Sequence, residues 1–379
     1  LGIWYQSDRI LQALLQALHM LLGYPLVVEE TYLWITDELV LTVQIRPLGS
    51  IGDSLDIKPG SRSRGSENER LRAAIRQRID EVADVVSMAD GMSASLIELY
   101  PAQAFRGADP KYALRMGFAQ KNWLTQFITP YKENKKLPPK QRQKEEEKII
   151  HRALAAARDL LRQCGVLGVQ PRVMNKGKTA HSSIPDPIHY LGVWLIKQYA
   201  ASSHTHIPQM LPIVVHMASD TREVFVKAPG FSDWLSYPDT LLTLASGQAQ
   251  GVRKPRESLP FIMDTLKRFI PTVPHVMLFY HAQNFRSAWN WLTNENITKE
   301  LPSSFSKYKH LCIVRVRSEE HETSEWYAQS EDRPYGFAHG VFTLGESGHV
   351  FASIQEKPPT TQNLSKELSK GLSRIKTDK

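Results

Sequence analysis

The sequence ADPKYALRMGFAQKNWLTQFI, residues 108–128, contains a helix start, a helix and a short extended segment in immediate succession. Asp109 followed by Pro110 is typical of a helix N-terminus, because aspartate caps free N–H groups and proline is tolerated at the first helical position. The apolar run Leu124 to Ile128 then predicts a strand. This stretch indicates that the first half of the chain is built from alternating strands and helices.

The flanking sequence continues this alternation. Strands are predicted at Leu39 to Ile45 and at Ser95 to Tyr100, and Ser66 opens a capping box ahead of a helix between them, whose face with Arg70, Arg76 and Arg78 is predicted to be solvated. A polar, basic segment after the quoted stretch leads into a long helix that ends near Gly165, with a predicted buried stripe of Ile150, Leu154, Leu161 and Cys164. A stretch from Gly168 to Pro187, rich in Gly, Ser, Lys and Pro, predicts a boundary between domains at 1–175 and 176–379.

The second half predicts a different architecture. Apolar runs predict strands at 189–196, 211–217, 223–226, 275–280 and 311–316, with helical segments between the third and fourth, and a hairpin joins 340–344 to 349–354. Strands followed by helices favour a mixed sheet flanked by helices. The fold class is therefore α/β, in two domains.

Composition narrows the class of partner. The 379 residues carry a net charge of +8 and a pI of about 9.3, which favours a polyanionic partner. Both cysteines, Cys164 and Cys312, lie in apolar runs, which predicts buried thiols in a reducing cytoplasm and neither a structural metal nor another cofactor. The stretch Ile10 to Leu22 is too short and too amphipathic to span a membrane, and it lacks the features of a signal peptide.

Basic side chains with helical spacing are the candidate binding residues. Lys111 and Arg115 are four residues apart at the start of one helix, where free N–H groups and two cations suit an anion such as a terminal phosphate. Arg158 and Arg162 repeat this spacing along the border of the later helix. Gln126 between the helices offers an uncharged donor. The alternative is that each pair is a set of surface cations that pair with nearby acids.

The two helices and the Thr125-Gln126 between them resemble the MID domain of Argonaute proteins. The resemblance implies a Rossmann-like domain that binds the 5′ phosphate of a guide strand. Lys111 stands where that family often has tyrosine, and Arg115 and Gln126 fall at the next two pocket positions. Arg158 and Arg162 fall at the position of a lysine pair that binds the same 5′ phosphate in that family.

More narrowly, the Asp109-Pro110-Lys111 start, Arg115 and the Leu160-Leu161-Arg162-Gln163 run resemble the bacterial PIWI-RE family. This resemblance implies that a PIWI domain with an RNase H fold follows the MID domain. That family is named for a paired arginine and glutamate in the PIWI domain. Arg317 and Glu322 are the best match for the pair, and Arg315 and Glu320 are the alternatives.

Two positions at which an RNase H fold holds catalytic carboxylates carry other residues. Trp194 follows Leu191-Gly192-Val193 on the opening strand, and His281 follows the strand that contains Leu278 to Tyr280. Tryptophan cannot bind Mg²⁺, and a lone histidine is a poor ligand for a hard cation. The sequence therefore predicts a domain that holds a duplex without cleaving it.

The predicted function is guide-dependent nucleic-acid binding by a protein that is not an enzyme. The family resemblance adds a role in defence against invading DNA, alongside a helicase and a separate nuclease. One alternative is an active guided endonuclease that uses Mg²⁺ bound by other acids, such as Asp186, Asp220 and Glu322. A second alternative is a structural module that has kept the fold and binds no nucleic acid.

Overall fold

The computed structural model describes residues 1–28, 31–36, 39–58, 64–130, 139–166, 187–198, 209–221, 223–247, 251–252, 254–285, 287–292, 303–316, 326–329, 337–338, 340–343, 351–354 and 373–374. The predicted domain boundary at 175/176 lies outside these residues, as do Asp186, Arg317, Glu320 and Glu322.

The first domain is a layered α/β unit. Its strands are β1 (Gly2–Tyr5), β2 (Leu26–Val28), β3 (Thr31–Ile35), β4 (Val40–Pro47), β5 (Ser93–Glu98) and β6 (Trp123–Ile128). Its helices are α1 (Asp8–Leu22), α2 (Arg64–Val85), α3 (Lys111–Gln120) and α4 (Pro139–Gln163), with 3-10 turns at Gly49–Gly52 and Ala102–Phe105.

The sheet of this domain has the strand order β2-β3-β4-β1-β5-β6. Strands β4, β1, β5 and β6 are parallel, whereas β2 and β3 add an antiparallel extension at one edge. Among the parallel strands, the second, first, third and fourth along the chain are neighbours in that order, which is the flavodoxin-like version of the doubly wound fold. The predicted Rossmann-like architecture is confirmed.

Helices cover both faces of this sheet. One core joins α1 and α4 to the face that includes Ile3, Leu96 and Leu124. A second core joins α2 and α3 to the opposite face, around Trp4 and Ile97. The chain therefore has a helical layer on each side of its parallel strands.

The second domain contains a larger set of elements. Its strands are β7 (His189–Gln198), β8 (Gln209–Ala218), β9 (Val224–Lys227), β10 (Leu235–Ser236), β11 (Val276–His281), β12 (Leu311–Val316), β13 (Trp326–Gln329), β14 (Phe337–Ala338), β15 (Gly340–Thr343), β16 (Phe351–Ile354) and β17 (Ser373–Arg374). Its helices are α5 (Tyr237–Ala245), α6 (Leu259–Phe269), α7 (Ala282–Phe285) and α8 (Ser303–Ser306).

The main sheet of the second domain is mixed, as predicted. Its order is β10-β9-β8-β7-β11-β12, with β7 antiparallel to β8 and parallel to β11. Side chains of α6, α7 and α8 pack on one face, against residues such as Leu191 and Leu278. The predicted hairpin is present as the antiparallel pair β15 and β16.

The two domains meet through α5. This helix contacts α3 and the edge strand β6 of the first domain, and Leu241 and Leu242 pack against the core beneath α1 and α4. Just beyond α5, a Cβ placed on Gly247 would lie 3.1 Å from the terminal methyl of Met116 on α3. The second domain therefore covers the edge of the sheet beside α3.

Three sequence expectations differ from the structure. Arg78, expected on a solvated face of α2, is buried and donates to the carbonyl oxygens of Ile51, Asp53 and Ser54, because the 3-10 turn folds over that face. Cys312, expected to be buried, is exposed, because it lies on the face of β12 away from the core. The short strand β1, which is central in the first sheet, was not predicted.

Candidate nucleic-acid interface

Lys111 and Arg115 share one face of α3 and meet the same aromatic ring. The Lys111 ammonium lies 5.1 Å from the centre of the Phe127 ring, and the Arg115 guanidinium lies 5.5 Å from it. Contacts of this kind are attractive because the ring face is electronegative, and they hold the cations in place. The structure therefore brings the first two predicted residues together above β6.

The start of α3 is organised as the sequence indicates. The N–H of Lys111 donates to the Asp109 carboxylate at 2.9 Å, so that aspartate caps the helix. Desolvation of the Arg115 guanidinium lowers the pKa of Arg115 from its ordinary value, although much of the side chain is exposed. Arginine stays charged in proteins, so this partial desolvation strengthens its attraction for an anion.

Gln126 projects from the opposite side of β6. Side chains alternate along a strand, so Phe127 faces α3 whereas Gln126 faces α4. There the Gln163 amide donates to the Gln126 side-chain oxygen at 3.3 Å. Gln126 thus links the edge strand to the last turn of α4.

Arg158 and Arg162, the arginine pair of α4, take no part in the contact between Gln126 and Gln163. The buried side of α4 is formed by Ile149, Ala153, Ala156, Ala157, Leu160 and Leu161. Since successive helical residues are about 100° apart, Arg162 points away from that side, and it forms an exposed ion pair of 3.1 Å with Asp159. Arg158 is also exposed. Within the described ranges, no hydrogen bond, ion pair or ring contact joins Arg115 to Arg162.

In the second domain, the two positions predicted to lack carboxylates are neighbours. β7 and β11 run side by side with Val193 opposite Tyr280, which places Trp194 and His281 at the same level. Their rings meet edge to face with 4.8 Å between centroids. The structure therefore brings these two predicted residues, from separate strands, into contact.

Asn284 holds the end of β7 and the His281 ring in place through hydrogen bonds. Its side chain accepts from the N–H of Leu195 at 2.7 Å and donates to the Leu195 carbonyl at 2.8 Å, which extends the pairing of β7 beyond the end of β11. Its own backbone N–H lies 3.3 Å from Nδ1 of His281 and donates to it. These bonds hold the imidazole in a defined orientation.

Family comparison covers both domains. Residues 33–172 match the MID domain of pPIWI_RE, and residues 190–379 match the RNaseH domain of pPIWI_RE. The chain belongs to the PIWI-RE family. No curated protein matches it. The combination of MID and RNase H-like domains in PIWI-RE proteins points to guided nucleic-acid binding.

Metal chemistry of the RNase H type does not fit the residues at this PIWI-RE site. Trp194 offers no ligand, and Nδ1 of His281 already accepts a hydrogen bond from Asn284. The described part of the chain contains no cluster of three His, Cys, Asp or Glu side chains able to hold a metal ion.

Asp220, the described member of the alternative acid set, lies at the other end of the sheet. It follows β8, whose last residue, Ala218, is opposite His189 at the start of β7. Five residues of strand separate His189 from Trp194, about 17 Å at about 3.3 Å per residue. Asp220 is therefore too distant to share a site with His281.

Glu98 is a structural residue that the sequence did not reveal. It is fully buried at the end of β5, where its carboxylate accepts from the N–H groups of Gln6 and Ser7 at 2.7 and 2.8 Å. A single acid at the end of an apolar strand carries no pattern that distinguishes it from a surface residue. Only the pairing of β1 with β5 brings it to the start of α1.

A membrane-crossing role has no support in the helices of this protein. Among the residues that the structure describes, none of the helices is both long enough and apolar enough to cross a bilayer.

Proposed function

We propose that this PIWI-RE protein binds a short guide strand by its 5′ phosphate and holds the guide–target duplex without cutting it. The observation that carries the proposal is the pair of cations, Lys111 and Arg115, held against Phe127 at the start of α3. Phosphate oxygens form some of the stronger hydrogen bonds with such groups. The MID match over residues 33–172 supports a guide as the source of the phosphate.

The first turn of α3 would supply the direct contacts. Lys111 and Arg115 reach the phosphate from the helix, and the two cations outweigh the Asp109 carboxylate that caps the same turn. Gln126 is proposed to contribute from the neighbouring strand. Arg158 and Arg162 were predicted from the sequence to bind the same phosphate. Because both are exposed on the outer side of α4, we propose instead that they contact the guide backbone.

The absence of cleavage is proposed from chemistry at Trp194 and His281. An indole and an oriented imidazole stand where the family resemblance places carboxylates, so the duplex would be bound and left intact. Defence against invading DNA, with a helicase and a separate nuclease as partners, is proposed from the PIWI-RE resemblance alone. A protein that binds without cutting needs another enzyme to destroy its target.

The phosphate anchor is tested by comparing 5′-phosphorylated and 5′-hydroxyl guides of one sequence, as RNA and as DNA, by fluorescence polarisation. The wild type is expected to prefer the phosphorylated guide at least about tenfold, since each charge-assisted bond contributes about 1.5 to 3 kcal/mol. The double variant Lys111→Ala/Arg115→Ala is expected to lose that preference.

A matched control is the double variant Lys267→Ala/Arg268→Ala, which removes two exposed cations from α6 of the other domain. It is expected to keep the preference for phosphate, although total affinity falls slightly because two charges are lost. Equal binding of both guides by the wild type would contradict the proposed function.

A further inference from the structure

We infer that Trp194 and His281 form an uncharged, metal-free contact for the guide–target duplex, in which the imidazole binds a phosphate oxygen and the indole stacks on an adjoining base or sugar. The inference rests on the proposed function. It names two residues that would contact the duplex where an active RNase H domain contacts the phosphate through metal ions. It goes beyond the loss of carboxylates, because it assigns a binding role to the residues that replace them.

Trp194 presents an aromatic surface to solvent. Its side chain is 41% exposed although it lies in the middle of a sheet, whereas Val193 and Leu195 on either side are buried. The His281 ring supports it edge to face at 4.8 Å, so the indole is held upright rather than free to collapse on the sheet. Exposed aromatic rings of this kind are the surfaces on which nucleic-acid bases stack.

His281 is prepared as a hydrogen-bond donor. Because Nδ1 accepts from the backbone N–H of Asn284, a neutral imidazole must carry its proton on Nε2. Asn284 is itself fixed by two bonds to Leu195, so its N–H is held in place and the ring cannot turn without breaking the hydrogen bond to Nδ1. The Nε2–H group is left directed away from α7, where a phosphate oxygen can accept it.

The surroundings of the pair suit a phosphate more than a cation. In the strand register, Ile213 lies opposite Trp194 on β8 and Val316 lies opposite His281 on β12. These four residues form one row across β8, β7, β11 and β12, and none of them is a lysine, arginine, aspartate or glutamate. Among these four described residues a phosphate meets no carboxylate, and a hydrated metal ion would find neither an oxygen ligand nor a compensating charge.

The test measures binding of a labelled target strand to guide-loaded full-length protein at several salt concentrations. Trp194→Ala is expected to weaken target binding about tenfold, and Trp194→Phe to keep most of the affinity because a ring remains. His281→Phe, which keeps the ring and loses the donor, is expected to weaken binding severalfold. His281→Gln, which keeps an N–H at similar reach, is expected to bind nearly as well as the wild type.

The salt dependence separates this contact from an ionic one. None of these variants removes a cation, so the slope of log affinity against log salt should stay that of the wild type. Guide binding by the MID domain should also be unchanged. Wild-type target affinity in both Trp194→Ala and His281→Phe, or an equal loss in His281→Phe and His281→Gln, would overturn the inference. Failure of the wild type to bind guide at all would instead overturn the proposed function.

Discussion

The buried carboxylate of Glu98 accepts two hydrogen bonds from Ser7, from its N–H at 2.8 Å and from its hydroxyl at 2.7 Å. Ser7 caps α1 directly after β1, so the bonds tie β5 to the neighbouring strand at the point where the doubly wound sheet reverses direction. Ligand anions often bind at such a point. Here the protein's own carboxylate occupies the start of α1, and the phosphate site that we propose lies on α3 instead.

Removing this carboxylate should destabilise the first domain. Glu98→Ala leaves the N–H groups of Gln6 and Ser7 buried without their partner, and we expect the free energy of unfolding to fall by about 3 kcal/mol or more. Glu98→Gln keeps an acceptor oxygen and should lose less. Urea denaturation of both variants measures the difference. A loss of less than about 1 kcal/mol in Glu98→Ala would show that these hydrogen bonds contribute little.

The two arginines of α4 should affect guide binding differently from the α3 pair. Arg162 already pairs with Asp159 and points outward, so Arg158→Ala/Arg162→Ala is expected to weaken 5′-phosphorylated and 5′-hydroxyl guides by a similar factor. Loss of two backbone contacts should also reduce the salt slope by about two. Polarisation titrations with both guides at three salt concentrations measure this. A loss confined to the phosphorylated guide would place this pair in the phosphate pocket.

Guide-dependent cleavage should be undetectable. We expect guide-loaded protein incubated with labelled complementary target and Mg²⁺ or Mn²⁺ to leave the target intact on a denaturing gel, because Trp194 and His281 cannot assemble a metal site. Asp220→Ala serves as the control for the alternative acid set. Cleavage by the wild type that disappears in Asp220→Ala would establish the nuclease instead.

Acid should weaken the second domain through His216. Its Nε2 lies 3.0 Å from Nδ1 of His189, and burial, together with the neighbouring imidazole, lowers the pKa of His216 from 6.5 to about 4. Because the folded protein binds this proton less readily than the unfolded chain, the stabilisation is complete above pH 6.5 and lost as the pH falls towards 4.

The free energy of unfolding should fall by about 1 to 2 kcal/mol over this pH range. This value is lowered because solvent reaches the half-exposed His216 ring and weakens the effect. His216→Gln keeps a partner for His189 and does not titrate. We expect the difference in unfolding free energy between the wild type and this variant to shrink between pH 7.5 and pH 5. Parallel pH profiles for the two proteins would contradict the lowered pKa.

The sequence predicts well those strands and helices that are long enough to show a pattern of apolar residues. The apolar runs around β4, β5, β7 and β11 are long enough to show strand character, and both family domains follow from short motifs. β1 has only four residues and runs directly into α1, so its central place depends on pairing with β4 and β5. Pairing between distant segments leaves no local pattern.

The candidate site shows the same limit. Helical spacing placed Lys111 with Arg115, because that relation is local, whereas Trp194 and His281 were related only through the resemblance to the PIWI-RE family. The rotation of α4 was predicted less well. Its buried side is centred on Ile149, Ala153 and Leu160, and of the predicted stripe Leu161 is buried whereas Leu154 and Cys164 are only partly buried at its border. That rotation turns Arg162 outward.

Gly117 should be required for the packing of α3 on α2. A Cβ on Gly117 would lie 2.7 Å from Cγ1 and 2.8 Å from Cβ of Val82, distances that real contacts do not show. Gly117→Ala should therefore lower the free energy of unfolding by about 1 to 2 kcal/mol, since overpacking outweighs the gain of about 1 kcal/mol in helix propensity. Gly91→Ala, where a Cβ would meet nothing within 4 Å, is the matched control and should change stability little.

Val82→Ala tests the origin of that loss. It removes the Cγ1 methyl that a Cβ at Gly117 would meet at 2.7 Å and keeps the Val82 Cβ at 2.8 Å, so part of the overpacking is relieved and the double variant should be more stable than the sum of the two single effects allows. A coupling of about 1 kcal/mol in urea denaturation is expected. Additive effects would mean that α3 can move away from α2. The Lys111 and Arg115 face would then be less firmly positioned for the guide than the close helix contact implies.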